Sequence, residues 1–275
     1  MATPTTERLG SVGAVVEGVD RERLLTDEAL PDWCHAALEA NGVLVFRELH
    51  LDDATQVAFS KRLGRVEVFG DGEHPEIFRV TLDPTKNPTA EYLLGTFDWH
   101  IDGMTDDIPI KATLLSAQAV AESGGETEFA STYEAFDELG DDAKERCLAT
   151  RVVHSLEATQ RRRNPDPSPE MLAAWRRRPA KEHPLVWRHR DGRRSLVLGS
   201  TTSHVVGMDA DEGRALLDDL LDHATTPERV YRHHWRVGDL VIWDNRGVLH
   251  RACPYDPTSA RDMHRTTLTG DEPVQ

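Results

Sequence analysis

ERVYRHHWRVGDLVIWDN, residues 228–245, carries two β-rich runs on either side of a Gly238-Asp239 turn. It reads as strand, turn, strand. An Asp-Asn-Arg-Gly corner follows, and then another strand-like run, VLHRA at residues 248–252. RDMHRTTL, residues 261–268, closes the chain as one more strand. Strands joined this tightly do not follow the alternating strand–helix pattern of a parallel sheet.

Moving toward the N-terminus, the same pattern recurs with helices inserted. LVWRHRDGRRSLVLG (185–199) is two β-runs around an Asp191-Gly192 hairpin turn, while ATLLSAQAV (112–120), VLVFRE (43–48) and RVVHSLE (151–157) read as strands. Helices are expected at TDEALPDWCHAALEANG (26–42) and DDATQVAFSKRLG (52–64), each stopping at glycine. Three more are expected at STYEAFDELG (131–140), with Ser131 and Glu134 as a capping box, at SPEMLAAWRRR (168–178), and at DADEGRALLDDLLDHAT (209–225). The expected fold class is mainly β with flanking helices, built as a double-sheet sandwich or jelly roll. No repeat or low-complexity linker divides the chain, so residues 1–275 are expected to form one domain.

Composition narrows the function. The net charge is −16, from 32 basic and 48 acidic residues, a field that repels nucleic acid and anionic membrane. No apolar run reaches the roughly 18 residues needed to span a bilayer. The start, MATPTTERLG, has no apolar signal core, and Cys34, Cys147 and Cys253 form neither a CxxC pair nor a disulfide framework, so a cytoplasmic protein is expected. Arginine is frequent between residues 160 and 194, read either as a solvated excursion or as a basic lid that draws small anions to a pocket.

Of the 13 histidines, His50, His100 and His189 each stand two residues before an aspartate, and the last two are weighed as legs of a metal site. In GTFDWHIDGM (95–104), His100 and Asp102 would share one face of a strand, with Trp99 and Ile101 turned the other way into apolar packing. In WRHRDGRR (187–194), Asp191 is the hairpin turn residue and His189 lies between two arginines, whose charge opposes a cation, so this copy is assigned to structure. The pattern gains weight only with a third ligand, and His250 supplies one. Two histidines and a carboxylate on one face of a metal leave room for a chelating cosubstrate and oxygen, as in non-heme iron(II) oxygenases. A zinc hydrolase can use the same set. Beyond His250, Arg261, Met263 and Arg265 fall on one strand face, with Asp262 and His264 on the other. Two arginines pointing inward are costly unless each meets an anion, and a guanidinium grips a carboxylate in bidentate fashion.

WHID, GGETEFAS, GDLVIWDNRGVLH and RDMHRTTLTGD together resemble the taurine dioxygenase and 2,4-dichlorophenoxyacetate dioxygenase (TauD/TfdA) family across nearly the whole chain. The resemblance implies a double-stranded β-helix and an iron(II)- and 2-oxoglutarate-dependent dioxygenase, using O2 and releasing succinate and CO2. It implies His100, Asp102 and His250 as the Fe(2+) ligands. Arg261 and Thr127 would hold the distal carboxylate of 2-oxoglutarate, and Arg265 would meet the anionic group of the substrate. Trp243 would pack near the iron. Residues 66–96 would contribute to the substrate pocket, where His74 is displaced from the position that sulfonate binding requires, so that role is not transferred. The implied partners are a small anionic organic substrate (an aryloxyalkanoate, a sulfonate or a related anion) and copies of the same chain in a dimer or tetramer. Two alternatives stand beside this reading: a non-oxidative metal-dependent hydrolase, and a small-anion binding protein on the same barrel.

Overall fold

The two strands of residues 228–245 do not pair with each other. A computed structural model of the protein describes residues 2–275. Its strands, in chain order, are β1 (Thr5–Arg8), β2 (Ala14–Glu17), β3 (Val43–Phe46), β4 (Phe78–Val80), β5 (Ala112–Ala119), β6 (Thr127–Ser131), β7 (Arg151–His154), β8 (Lys181–Pro184), β9 (Val186–Arg188), β10 (Arg194–Leu196), β11 (Thr202–Val205), β12 (Val230–His233), β13 (Leu240–Asp244), β14 (Val248–Ala252) and β15 (Asp262–Leu268). Its α-helices are α1 (Arg21–Thr26), α2 (Leu30–Asn41), α3 (Asp53–Leu63), α4 (Thr132–Asp137), α5 (Asp141–Leu148), α6 (Leu156–Arg161), α7 (Pro169–Arg176) and α8 (Ala210–Ala224).

A seven-stranded sheet has the order β1-β2-β3-β13-β5-β15-β4, and a three-stranded sheet has the order β12-β6-β14. β12 thus belongs to the small sheet and β13 to the large one, so the link through Gly238-Asp239 carries the chain between sheets. Buried Asp239 holds that link: its carboxylate accepts from the backbone N–H groups of Glu48 (3.2 Å) and Arg236 (3.1 Å) and pairs with Arg47 at 2.6 Å. Period-2 patterning says that a run is extended but not which strand it pairs with.

The two sheets share a core. Val43 and Val45 of β3, Val241 and Trp243 of β13, Leu115 of β5 and Met263 of β15 pack against Phe129 of β6 and Val248 of β14. The alternate residues, Leu44, Phe46, Leu114, Leu240 and Ile242, lie on the other face of the large sheet against α2 and α3. Both faces are covered, which is why VLVF and LVIW are continuous apolar runs. A third cluster, with α8 and the β9–β10 hairpin, covers the outer face of the small sheet through Ala130 and Leu249.

Several expectations need correction. Helices contribute about as many residues as strands, so the content is mixed rather than mainly β. The helix expected from Thr26 begins at Leu30, because α1 ends at Thr26 and Pro31 fits the first turn of α2. RVVHSLE is a strand only to His154; Ser155 then accepts from Ala158 N at 3.1 Å and caps α6. Ser131 and Ser168 cap α4 and α7 as expected, and Asp52 and Asp209 cap α3 and α8.

Candidate active site

At one end of the space between the sheets, His100, Asp102 and His250 each bring one ligating atom within 4.8 Å of the other two. His250 projects inward from β14, on the same face as Val248. His100 is not on a strand, contrary to expectation. It forms an isolated bridge with His250, His100 N donating to His250 O at 3.0 Å and His250 N to His100 O at 2.9 Å. The chain then turns at once. Gly103, at φ +83°, makes the turn, and a Cβ there would lie 2.8 Å from Ile110 N. The single bridge still produces the alternation inferred from the sequence: Trp99 and Ile101 pack in the apolar cluster behind.

The imidazole rings stand 4.2 Å apart between centroids, and Asp102 lies 3.6 Å from His100 Nε2 and 3.7 Å from His250 Nε2. Asp98 O is 2.9 Å from His100 Nδ1. That bond takes the ring N–H and leaves the Nε2 lone pair facing the other two ligands. His250 Nδ1 is buried without a partner among the described residues, so packing orients its ring, with Trp243 at 4.8 Å and Phe129 at 6.5 Å between centroids. Burial pushes His100 down to about 4, so the imidazole is neutral and able to ligate at pH 7. Burial would raise the Asp102 carboxyl, but the adjacent His250 and the charge of Arg265 hold it well below the usual range. The donor set, its neutral rings and its ionised carboxylate fit a divalent metal.

Thr127, Trp243, Arg261 and Arg265 line the same cavity as these three residues. Arg261 is only 3% exposed. Its Nε donates to Gly125 O at 3.3 Å, and its guanidinium lies 4.7 Å from the Tyr255 ring centroid. Gly125 is required there: at φ +75°, a Cβ would come within 2.9 Å of Arg261 Nε. Among the described residues, no carboxylate pairs with Arg261 within 4.0 Å, and burial lowers its guanidinium. A buried, uncompensated guanidinium facing a cavity is a demand for an anionic ligand.

Arg265 is placed differently. Its side chain is 22% exposed, it stands 3.4 Å from Asp102, and its guanidinium lies 4.7 Å from the Phe78 ring centroid and 5.6 Å from that of Phe69. Val80, Leu93 and Thr96 complete this wall, so the segment 66–96 does reach the cavity, while His74 is not among its lining residues. The outward face of β15 is polar because it is paired: Asp262 meets Arg79 and Lys86, and His264 meets Asp53.

The second His-x-Asp copy holds structure together, although His189 is buried rather than at an exposed tip. Its ring nitrogens lie 2.8 Å from Glu272 and 2.8 Å from Ser195, and Asp191 pairs with Arg193. The arginine-rich segment is neither free nor simply solvated. Arg163, Arg178 and Lys181 pair with Asp98, Asp106 and Asp107, tying α6 and α7 to the flanks of the loop that carries Asp102. Sequence reasoning also missed Trp235, Tyr255, Phe69 and Phe78. Aromatic type alone was their only signal, since their spacing from the motif residues is irregular.

Known proteins are similar to this chain over most of its length. Residues 3–267 match the family described as taurine catabolism dioxygenase TauD, TfdA family. The 2,4-dichlorophenoxyacetate dioxygenase of Burkholderia sp. (strain RASC), which depends on 2-oxoglutarate (alpha-ketoglutarate), is 35% identical over 85% of this chain and 83% of its own. The sulfate ester dioxygenase of Pseudomonas putida, dependent on the same cosubstrate, is 32% identical over 96% of this chain and 89% of its own. The crystal structure of AAD-2 in complex with Mn(II) and N-oxalylglycine superposes with a TM-score of 0.84 at 33% identity, over 99% of this chain and 100% of that one. The chain belongs to the TauD/TfdA family of 2-oxoglutarate-dependent dioxygenases.

Proposed function

We propose that the protein hydroxylates a small organic anion, with His100, Asp102 and His250 as its iron(II) ligands. Arg261 and Thr127 hold the distal carboxylate of 2-oxoglutarate, and Arg265 holds the anionic group of the substrate. Iron(II) with 2-oxoglutarate and O2 supplies the oxidant for a C–H bond, with succinate and CO2 as co-products. The observation that carries the reading is Arg261: a guanidinium 3% exposed, with no carboxylate partner among the described residues, beside the metal-type triad.

The protein's part is positioning and exclusion of water. Arg261, just before β15, and Thr127, at the start of β6, fix one end of the cavity, and Trp243 and Phe129 hold the His250 ring. At the other end Arg265 would orient the substrate anion while Phe69, Phe78, Val80 and Leu93 contact its apolar body. That wall suits an aryloxyalkanoate or an alkyl sulfate better than taurine, whose ammonium would meet apolar groups. We read the two facing sheets as a double-stranded β-helix in a single domain, working in the cytoplasm as a dimer or tetramer.

Anaerobic protein loaded with iron(II) should develop a visible charge-transfer band on titration with 2-oxoglutarate. A panel of aryloxyalkanoates, alkyl sulfates and sulfonates should then release succinate in a substrate-dependent, oxygen-dependent way. No band and no succinate across the panel would sink the proposal, and turnover without oxygen would point to the metal-dependent hydrolase.

A further inference from the structure

Trp235 lies in the crossover between the two sheets, within the stretch 228–245, and its indole Nε1 donates to Thr127 Oγ1 at 3.0 Å. An indole N–H can only donate. A threonine hydroxyl has one hydrogen and two acceptor sites, so a hydroxyl that accepts from Trp235 keeps its own hydrogen for another partner. Among the described residues Thr127 Oγ1 has no other hydrogen bond. Thr127 is 4% exposed and lines the cavity beside Arg261, and its backbone sits between β12 and β14, opposite His233 and Ala252. The hydroxyl hydrogen is therefore left for whatever anion occupies the cavity.

We propose that Trp235 is a positioning residue for the cosubstrate: it forces Thr127 to act as a hydrogen-bond donor to the distal carboxylate that Arg261 binds. The inference rests on the reading of Arg261 and Thr127 as the 2-oxoglutarate grip. Without the indole, the Thr127 hydroxyl is free to rotate and to offer a lone pair to the carboxylate, which is repulsive. The indole is itself held in place. Its ring meets His233 edge-on with centroids 4.4 Å apart, and His233 Nδ1 lies 2.9 Å from the Tyr231 hydroxyl. The following turn is tied down by the Asp239 carboxylate. The crossover thus delivers one N–H to one atom of the cavity wall.

The test is a double-mutant cycle on 2-oxoglutarate affinity, read by anaerobic titration of the iron(II)-loaded protein. Trp235→Phe keeps the ring and removes the donor, and it should weaken 2-oxoglutarate roughly 5- to 10-fold, about the worth of one neutral hydrogen bond. Thr127→Val should cost at least as much, and adding Trp235→Phe to it should cost nothing further. With 2-oxobutyrate, which lacks the distal carboxylate, Trp235→Phe should bind as the wild type does. Unchanged 2-oxoglutarate affinity in Trp235→Phe, losses that add in the double variant, or equal loss with 2-oxobutyrate would each overturn the inference. Wild-type protein that binds no 2-oxoglutarate would overturn the underlying function instead, and this inference with it. Should Trp235→Phe fail to fold, the wild-type protein loaded with zinc still decides the matter. One of its six tryptophan indole N–H signals should shift with 2-oxoglutarate but not with 2-oxobutyrate, and the absence of such a signal overturns the proposal.

Discussion

The two ends of the cavity use the same residue type in opposite ways. Arg261 is sealed at 3% exposure, fixed by the Gly125 carbonyl and the Tyr255 ring, and pairs with no carboxylate among the described residues. Arg265 is 22% exposed, faces the Asp102 carboxylate at 3.4 Å, and rests on two phenylalanines, Phe69 from a loop and Phe78 from the edge strand β4. One end is sealed and demands its ligand. At the other, Arg265 projects from the interior strand β15, but the aromatic wall it rests on stands on a sheet edge and a loop, where side chains change at little structural cost. A constant cosubstrate suits the first, and a substrate that varies between relatives suits the second.

The strongest way to break this contrast is Arg261→Gln. It should weaken 2-oxoglutarate by about 100-fold or more, since it removes a buried bidentate partner, and a titration showing unchanged affinity removes Arg261 from its role. Arg265→Gln should raise the KM of an anionic substrate roughly 30-fold, near 2 kcal/mol for a hydrogen bond to a charged group. Its 2-oxoglutarate affinity should stay within about twofold, and equal losses of both ligands would erase the contrast.

A third prediction concerns the support under the substrate end. His183 Nε2 donates to Met104 O at 3.1 Å, next to the Asp102 turn, and His154 packs on His183 with centroids 5.7 Å apart. His154 is 0% exposed, and burial pushes it down to about 3 from 6.5. Its folded value lies below its unfolded value, so the unfolded chain binds the extra proton. The neutral ring therefore costs nothing above pH 6.5, and stability falls as pH drops from there toward 3. The slope from this one group is about 1.4 kcal/mol per pH unit. Urea unfolding of His154→Gln between about pH 6 and pH 4.5 should show a slope shallower by one proton, and an identical slope would count against a buried neutral His154. The smallest effect is expected for Phe78→Leu. Loss of a cation–π contact of about 0.5–1 kcal/mol should shift the ratio of kcat/KM between aryl and alkyl substrates by a few-fold, and no shift would mean that Phe78 does not touch the substrate's body.

What could be read from the sequence follows from what one-dimensional patterns encode. Helix caps and period-2 alternation are local, so most boundaries and the inward face of β15 were legible. Both aspartates precede a glycine turn, so what separated two identical spacings was the pair of arginines beside His189 against the distant His250 that joins His100 and Asp102. Partner choice was not legible: β12 and β13 look like a hairpin and go to different sheets. Nor was the contact of Trp235 with Thr127, which spans 108 positions and depends on that crossover. The bridge at His100 was misread as a strand because a single pair of hydrogen bonds leaves no repeat to detect.

That bridge has a further consequence. His100 and His250 are clasped by two reciprocal backbone hydrogen bonds, so the spacing of the two proposed metal ligands is set by the main chain and not by an ion. A zinc finger must fold around its metal. This centre is a socket, present before anything is plugged in, and stripping the metal with a chelator should leave secondary structure and cooperative unfolding intact. On the proposed reading, metal supply governs activity without governing survival of the fold.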